Sequence, residues 1–280
     1  MDEPLSRVDQ ASPSGLYRPV NYDGSWHGTV TLRSALANSY NIPALLLQDA
    51  VGAKEVINVA RKMGIKTDLP AVASLTLGAG TVRLLEMTAA YGVFANSGLR
   101  VDTTPFLHVS TLDGEVLYQL GEPQGDKEIW PEVAYMISDI LSDRQARRPA
   151  FGNVLDLTGG RTAAVKTGTT NDYKDSWTIG YTPSLVTGVW VGNTDNSPML
   201  QVAGSLGAGY IWKDFMEVAL AGRPNEPFSA PRRMVWSPLC AEDTTVDVVM
   251  DGPPGSCPEP HEAAESWRVA LPAGTSRRRS

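Results

Sequence analysis

The segment AAVKTGTTNDYKDSW (residues 163–177) places a cation, hydroxyl groups and a bare glycine at the end of a short apolar run. Lys166 offers a compact ammonium with several hydrogen-bond donors, and Thr167 and Thr169 each add a hydroxyl group. Gly168 leaves the strand edge open to the approach of a second backbone. These residue types suit the binding of a peptide carboxylate along an edge strand, and an ordinary strand end is the competing interpretation.

The same segment differs by one residue from a phosphate-binding loop of the form GxxxxGK[ST], read from Gly160 to Thr167. Val165 stands where that loop requires glycine, and a β-branched residue opposes the tight turn that wraps a phosphate. Residues 163–165 continue a strand pattern instead. The sequence therefore disfavours a nucleotide-binding site here.

A second polar group, Ser39-Tyr40-Asn41, interrupts a helical pattern far upstream. The hydroxyl of Ser39 could relay a proton, and the amide of Asn41 could hydrogen-bond a peptide group. Serine and asparagine also favour helix caps, which is the structural interpretation of the same residues. Both interpretations place the pair at a helix break, where side chains can project into a cleft.

The elements that must hold these residues indicate an α/β fold of the α+β type. β-rich runs joined by short turns predict consecutive antiparallel strands at 161–170, 176–181 and 185–192. Helical periodicity predicts helices between Thr31 and Gly64 with a break at 39–43, and at 81–95, 131–142 and 210–221. We therefore expect an antiparallel sheet covered by helices beside a mostly helical subdomain that carries Ser39.

Two further elements have specific signals. Asp113-Gly114 between apolar runs predicts a β-hairpin. The helix at 131–142 is predicted to bury an apolar stripe made of Val133, Met136, Ile137, Ile140 and Leu141. By organisation, we divide the chain into an extended leading segment (1–28), a folded domain (29–221) and a proline-containing tail or small extension (222–280).

The composition is that of a globular protein, with 280 residues of which 42% are hydrophobic. A net charge of -7 gives little support for nucleic-acid binding. No apolar run reaches the roughly 20 residues that span a bilayer, and the first residues lack a signal-peptide pattern. The two cysteines, Cys240 and Cys257, leave one disulfide open as a possibility, and the histidines at 27, 108 and 261 show no metal-ligand spacing, so no metal site is predicted.

In chain order, Ser39-Tyr40-Asn41 and Lys166-Thr167-Gly168 match the S-x-N and K-T-G motifs of penicillin-recognising serine acyltransferases. The surrounding sequence is more specific. Three segments resemble the transpeptidase domains of class A, bifunctional penicillin-binding proteins. They are YRPVNYDGSWHGTVTLRSALANSYNIPALLL, SLTLGAGTVRLLEMTAAYGVFANSG and VKTGTTNDYKDSWTIGYTPSLVTGVWVGN. This resemblance extends from about Tyr17 to Ala221, and the tail around the two cysteines resembles, more loosely, an extension that some members carry.

The resemblance implies a penicillin-binding-protein or serine β-lactamase-like fold and a D,D-transpeptidase that cross-links D-alanyl-D-alanine stem peptides without a cofactor. It implies that Ser39 passes a proton toward the leaving amine and that Asn41 hydrogen-bonds the substrate amide. Lys166 would attract the terminal carboxylate and assist the proton transfer of Ser39. The hydroxyls of Thr167 and Thr169 would bind that carboxylate, and the Thr169 N–H would form half of an oxyanion hole.

The resemblance also implies partners and a location. The partners would be peptidoglycan stem peptides, with β-lactams as ligands of the intact family. The location would be the extracytoplasmic face of the cell membrane, in a membrane-anchored protein with an upstream glycosyltransferase domain.

The S-x-x-K motif, which carries the nucleophilic serine and its base lysine in the family, is where this chain departs from the pattern. Three positions before each lysine stand Val51, Val59, Met63, Gln124, Ala163, Asn171 and Tyr210, and none of these is serine. Without the nucleophile no acyl-enzyme can form. We therefore expect the C-terminal part of a transpeptidase domain, truncated before the nucleophile, inactive alone and left with uncovered apolar surface. The alternatives are a non-catalytic stem-peptide-binding or partner module and a serine β-lactamase relative.

Overall fold

The computed structural model describes residues 1–8, 15–122, 124–170, 173–200, 203–232, 234–238 and 246–250. The chain divides into a compact unit, Met1–Pro231, and a second unit, Arg232–Ser280. The first unit combines helices with antiparallel strands, which confirms the predicted fold class. In the second unit β10 (Met234–Pro238) pairs with β11 (Val246–Met250). Cys240 and Cys257 lie outside the described residues, and the division at 28 and 221 stays a prediction.

The first unit contains the predicted helices and strands, together with one helix (Arg144–Phe151) and four two-residue strands that the sequence pattern did not predict. The helices are α1 (Leu32–Ala37), α2 (Asn41–Val51), α3 (Ala53–Lys62), α4 (Leu84–Ala95), α5 (Pro131–Ser142), α6 (Arg144–Phe151) and α7 (Ala208–Ala219), with 3₁₀ turns at Leu75–Leu77 and Thr158–Gly160. The strands are β1 (Arg7–Val8), β2 (Leu16–Tyr17), β3 (Leu99–Arg100), β4 (His108–Ser110), β5 (Val116–Gln119), β6 (Asp126–Lys127), β7 (Ala164–Thr169), β8 (Asp175–Thr182) and β9 (Leu185–Gly192).

Strands β7, β8 and β9 form an antiparallel sheet in that order, as predicted. β8 and β9 are joined by a two-residue turn, since Thr182 pairs with Leu185. In the described part of the chain β7 pairs only with β8, so the K-T-G motif lies on an edge strand. The predicted hairpin around Asp113-Gly114 is also confirmed, because β4 pairs with β5.

The sheet carries a helical layer on each face. On one face Val165 packs in a cluster with Trp212 and Met216 of α7. On the other face Ala164 and Tyr181 pack against Leu141 of α5. Side chains alternate along a strand, so Lys166 shares the α5 face with Ala164, and the threonines of the motif share the α7 face with Val165.

Two local features differ from the sequence prediction. The helix break covers residues 38–40, and Pro43 lies in the first turn of α2, where a missing N–H leaves no bond unmade. The predicted stripe of α5 is partly wrong, because Val133 is exposed whereas Ser138 is buried. Ser138 can be buried because its hydroxyl donates to the carbonyl oxygen of Ala134 (2.8 Å) and contacts the hydroxyl of Tyr181 (3.0 Å).

Candidate active site

Ser39 occupies a turn that glycine normally fills. The N–H of Tyr40 donates to the carbonyl of Ala35 (2.9 Å), and the N–H of Ser39 donates to the carbonyl of Leu36 (3.2 Å). These two bonds define a Schellman motif at the C-terminus of α1, with Ser39 in the left-handed conformation at φ 60°. A side chain there costs conformational energy relative to glycine.

The turn is held from below by Asn38, which is buried. Its Nδ2 donates to the carbonyls of Ser34 (2.9 Å) and Ala146 (2.8 Å), and its Oδ1 accepts from the N–H of Ala150 (3.1 Å). Asn38 therefore fastens the end of α1 to α6. Asn38 has no local sequence signature, because its two partners on α6 lie more than a hundred positions away.

Lys166 and Ser39 meet across the two motifs. Lys166 Nζ donates to Ser39 Oγ at 2.5 Å and to the carbonyl oxygen of Thr167 at 2.8 Å, although Lys166 and Ser39 are 127 positions apart in sequence. Burial of the ammonium lowers the pKa of Lys166 from 10.5 to about 8. At neutral pH the ammonium is therefore still charged and can give up a proton more readily than an exposed lysine.

The edge of β7 presents backbone donors to the side away from β8. The N–H of Thr170 donates to the carbonyl of Asp175 (3.1 Å) on the β8 side, and successive residues direct their backbone groups to opposite sides. The N–H of Thr169 and the carbonyl of Thr167 therefore point outward, as the contact of Thr167 with the ammonium of Lys166 also requires. An outward N–H at this edge is the kind of donor an oxyanion hole needs.

The threonine hydroxyls lie on the opposite face from Lys166. Thr169 Oγ1 accepts a hydrogen bond from the N–H of Gly204 (2.8 Å), which leaves its own proton free to be donated. A Cβ added at Gly168 would lie 3.5 Å from the Cβ of Trp177, which is an ordinary van der Waals contact. The residues Thr167, Gly168 and Thr169 thus form one edge with Lys166, and only Lys166 of this set contacts Ser39 in the described part of the molecule.

Asn41 begins α2 and is held by the segment before α1. Its backbone N–H donates to Asn21 Oδ1 (2.8 Å), and its Nδ2 donates to the carbonyl of Val20 (2.6 Å). Tyr40, the N-cap residue, supplies no side-chain cap, so Asn21 performs that role from a distance. The side chain of Asn41 keeps one N–H and its Oδ1 for a ligand.

Two further properties bear on function. Among the residues described, no group of three or more His, Cys, Asp or Glu side chains is placed to hold a metal ion. None of the described helices is long and apolar enough to cross a membrane. A surface groove of about 280 Å³ lies between α4 and β9 and includes none of the motif residues.

Comparison with known proteins identifies a family. The penicillin binding protein transpeptidase domain model matches residues 5–217. The chain is 40% identical over 220 residues to penicillin-binding protein 1A of Aquifex aeolicus, covering 76% of this chain and 29% of that protein. It is 35% identical over 223 residues to penicillin-binding protein 2D of Bacillus subtilis, covering 77% of this chain and 32% of that protein.

Solved structures agree on the fold. PonA1 of Mycobacterium tuberculosis in complex with penicillin V is 29% identical with a TM-score of 0.69, covering 80% of this chain and 65% of that one. Penicillin-binding protein 1A of Haemophilus influenzae is 23% identical with a TM-score of 0.80, covering 90% of this chain and 44% of that one. The chain thus spans roughly 30% of the length of the two curated relatives. On this match of sequence and fold, the chain belongs to the penicillin-binding protein transpeptidase family.

Proposed function

We propose that the S-x-N and K-T-G motif residues form the carboxylate-binding and proton-relay part of a D,D-transpeptidase active site that acts on D-alanyl-D-alanine stem peptides. The observation that carries the proposal is the 2.5 Å hydrogen bond from Lys166 Nζ to Ser39 Oγ, which joins the K-T-G and S-x-N motifs. A lysine buried beside a hydroxyl is costly for folding, and such arrangements concentrate at functional sites.

The proposed roles follow from the contacts. The hydroxyls of Thr167 and Thr169 bind the terminal carboxylate of the peptide, the ammonium of Lys166 attracts it from the other face of the strand, and the Thr169 N–H faces the scissile carbonyl. Asn41 hydrogen-bonds the peptide amide with the N–H that Val20 leaves free.

Proton transfer completes the proposed chemistry. A serine nucleophile gives its proton to its lysine base and attacks the carbonyl carbon of the D-alanyl-D-alanine bond, forming an acyl-enzyme ester as the bond to the terminal D-alanine nitrogen breaks. The leaving amine takes the proton of the Ser39 hydroxyl, Lys166 returns a proton to Ser39, and the proton taken up by the lysine base restores that of Lys166. The pKa of about 8 at Lys166 suits this exchange at neutral pH.

The attacking serine and its lysine base do not occur as S-x-x-K in these 280 residues. We propose that another polypeptide segment supplies them, and that this chain alone forms no covalent adduct with penicillin. By the same family membership we propose β-lactams as ligands, an extracytoplasmic location, and an associated glycosyltransferase domain and membrane anchor in the whole protein.

The test is non-covalent binding of diacetyl-L-Lys-D-Ala-D-Ala to the 280-residue chain, followed by NMR. We expect weak, saturable binding that is lost when the peptide carboxylate is converted to an amide and in Lys166→Ala. Lys54→Ala, which removes an exposed lysine of α3, should bind as the wild type does. Equal binding by Lys166→Ala and wild type would refute the carboxylate site.

A second arm tests the missing nucleophile. Fluorescent penicillin should leave no covalent label on the 280-residue chain after denaturing electrophoresis. A label that unlabelled penicillin competes away would show that the chain carries its own nucleophile.

A further inference from the structure

We propose that His27 is a positioning residue that makes the placement of the S-x-N segment depend on protonation, through the buried carboxylate of Asp2. The functional meaning of this coupling rests on the proposed function of the S-x-N segment. The coupling itself is a property of the folded chain and can be measured without a substrate.

His27 bridges two carboxylates. Its Nδ1 lies 2.6 Å from Asp2 Oδ2, and its Nε2 lies 3.1 Å from Asp23 Oδ2. A neutral imidazole carries one N–H, so it can donate to only one of the two carboxylates. The imidazolium donates to both, and the geometry therefore favours the protonated ring.

Asp2 is the buried centre of this cluster. Its side chain is 0% exposed, and Oδ2 accepts from Asn21 Nδ2 (2.7 Å) and from the backbone N–H of His27 (3.0 Å) as well as facing the imidazole. Asp2 Oδ1 is buried without a hydrogen-bond partner among the described residues. A buried carboxylate with one bare oxygen is strongly destabilising unless a cation stands beside it, and His27 is the cation in contact.

Two routes connect this cluster to the S-x-N segment. Asn21 donates a hydrogen bond from its Nδ2 to Asp2, and the Oδ1 of Asn21 accepts a hydrogen bond from the backbone N–H of Asn41 (2.8 Å). The ring of His27 stacks on the ring of Tyr40 with centroids 4.0 Å apart and planes 14° from parallel. The positions of Tyr40 and Asn41 therefore both depend on the pair formed by Asp2 and His27.

The direction of the pH dependence follows from the groups around the ring. Asp2, Asp23 and the phenol of Tyr40 face His27, and the pKa of His27 is raised above 6.5, chiefly by its hydrogen bond to Asp2. The charge of Asp23 adds to that rise, and partial burial opposes it. The bridge is therefore complete below pH 6.5 and is lost as pH rises through the higher pKa of the folded state. We expect the S-x-N segment to be held more firmly at mildly acidic than at alkaline pH.

The experiment is an NMR pH titration of the 280-residue chain that follows the His27 ring, the Tyr40 ring and both amides of Asn41. In wild type all of these signals should change along one curve with a midpoint above 6.5. In His27→Gln, which keeps a polar side chain but does not titrate, Tyr40 and Asn41 should lose that transition. His108→Gln, which removes an exposed histidine on β4, should leave it unchanged.

A second variant guards against a folding defect. Asp2→Asn keeps the shape of the side chain and removes its charge, so the midpoint of His27 should fall toward 6.5. Asp113→Asn, an exposed hairpin residue, is its matched control. A His27 midpoint at or below 6.5 in wild type, or an Asn41 transition that persists in His27→Gln, overturns the proposal. Failure of peptide binding, by contrast, would remove the proposed function and leave this coupling in place.

Discussion

The two halves of the candidate site are built in different ways. The K-T-G half lies on β7, where a backbone ladder to β8 and core side chains on both faces determine the path of the chain. The S-x-N half is a short turn between α1 and α2, held by the side chains of Asn38 and Asn21. The sheet half should therefore be sensitive to core packing, and the turn half to the loss of single polar side chains.

The largest expected loss of stability comes from a substitution in the sheet half of the site. A Cβ added at Gly180 of β8 would lie 2.4 Å from Trp212 Cζ2 and 2.8 Å from the carbonyl oxygen of Ala164. Gly180→Ala should therefore destabilise the fold by about 3 kcal/mol. Gly121→Ala, where nothing lies within 4 Å of the added Cβ, is the matched control. Urea denaturation of both variants measures the difference, and equal stability would contradict the packing argument.

The next effect breaks the turn half. Asn38→Ala removes one hydrogen bond to Ser34 of α1 and two that join the end of α1 to α6, and it leaves the carbonyl of Ala146 and the N–H of Ala150 without their Asn38 partner. We expect a loss of about 2 kcal/mol in the free energy of unfolding. Asn58→Ala, on the exposed face of α3, should change it by less than about 0.5 kcal/mol. If Asn38→Ala and Asn58→Ala had the same free energy of unfolding in a denaturation series, the hydrogen bonds of Asn38 would contribute nothing to stability.

A third substitution, at Lys166, should change stability and peptide binding in opposite directions. Lys166 makes the contact that joins the two halves of the site. Lys166→Met removes the buried amine and should raise the free energy of unfolding at pH 7 by about 1 to 2 kcal/mol, while peptide binding is lost. The folded pKa of about 8 lies below the ordinary 10.5, so the charged amine destabilises the fold fully below pH 8. The advantage of the variant should shrink as pH rises toward 10.5.

Stability curves of wild type and Lys166→Met between pH 6 and about pH 10.5 check this sign. A wild type that gains stability relative to the variant as pH falls would show that the ammonium stabilises the fold.

The smallest expected effect on stability concerns the backbone conformation of Ser39. Ser39→Gly removes the side chain from a left-handed turn at φ 60°, and Ser39→Ala removes the hydroxyl but keeps a Cβ there. We expect the glycine variant to be more stable than the alanine variant by about 1 kcal/mol, with both defective in the Lys166 contact. Thermal melting of the pair measures this, and a more stable alanine variant would argue against the Schellman geometry.

Much of the fold was predictable from local pattern. The strands β7 to β9 and helices α4, α5 and α7 were predicted within a few residues, because alternation and helical periodicity are recorded in neighbouring residues. The buried face of α5 was predicted less well. Val133 is apolar and exposed, whereas Ser138 is buried because Tyr181 of β8 provides a partner for its hydroxyl. Such a pairing depends on a strand 43 positions away.

The candidate site divides in the same way. Ser39, Asn41 and Lys166 were identified from motif spacing and family resemblance, and their catalytic roles stay a prediction. Asn38 and Asn21 were missed, because each acts through backbone groups of a distant segment and has no local signature.

By itself the sequence determined the family, the order of the elements, and the absence of an S-x-x-K pair within these 280 residues. Those properties are carried by residue types and short spacings, which do not depend on packing. Only the tertiary structure decided that Lys166 reaches Ser39, and that Asp2 and His27 lie under the S-x-N segment. Hydrogen bonds between remote segments arise once the packed core has determined where those segments lie, so no local pattern records them.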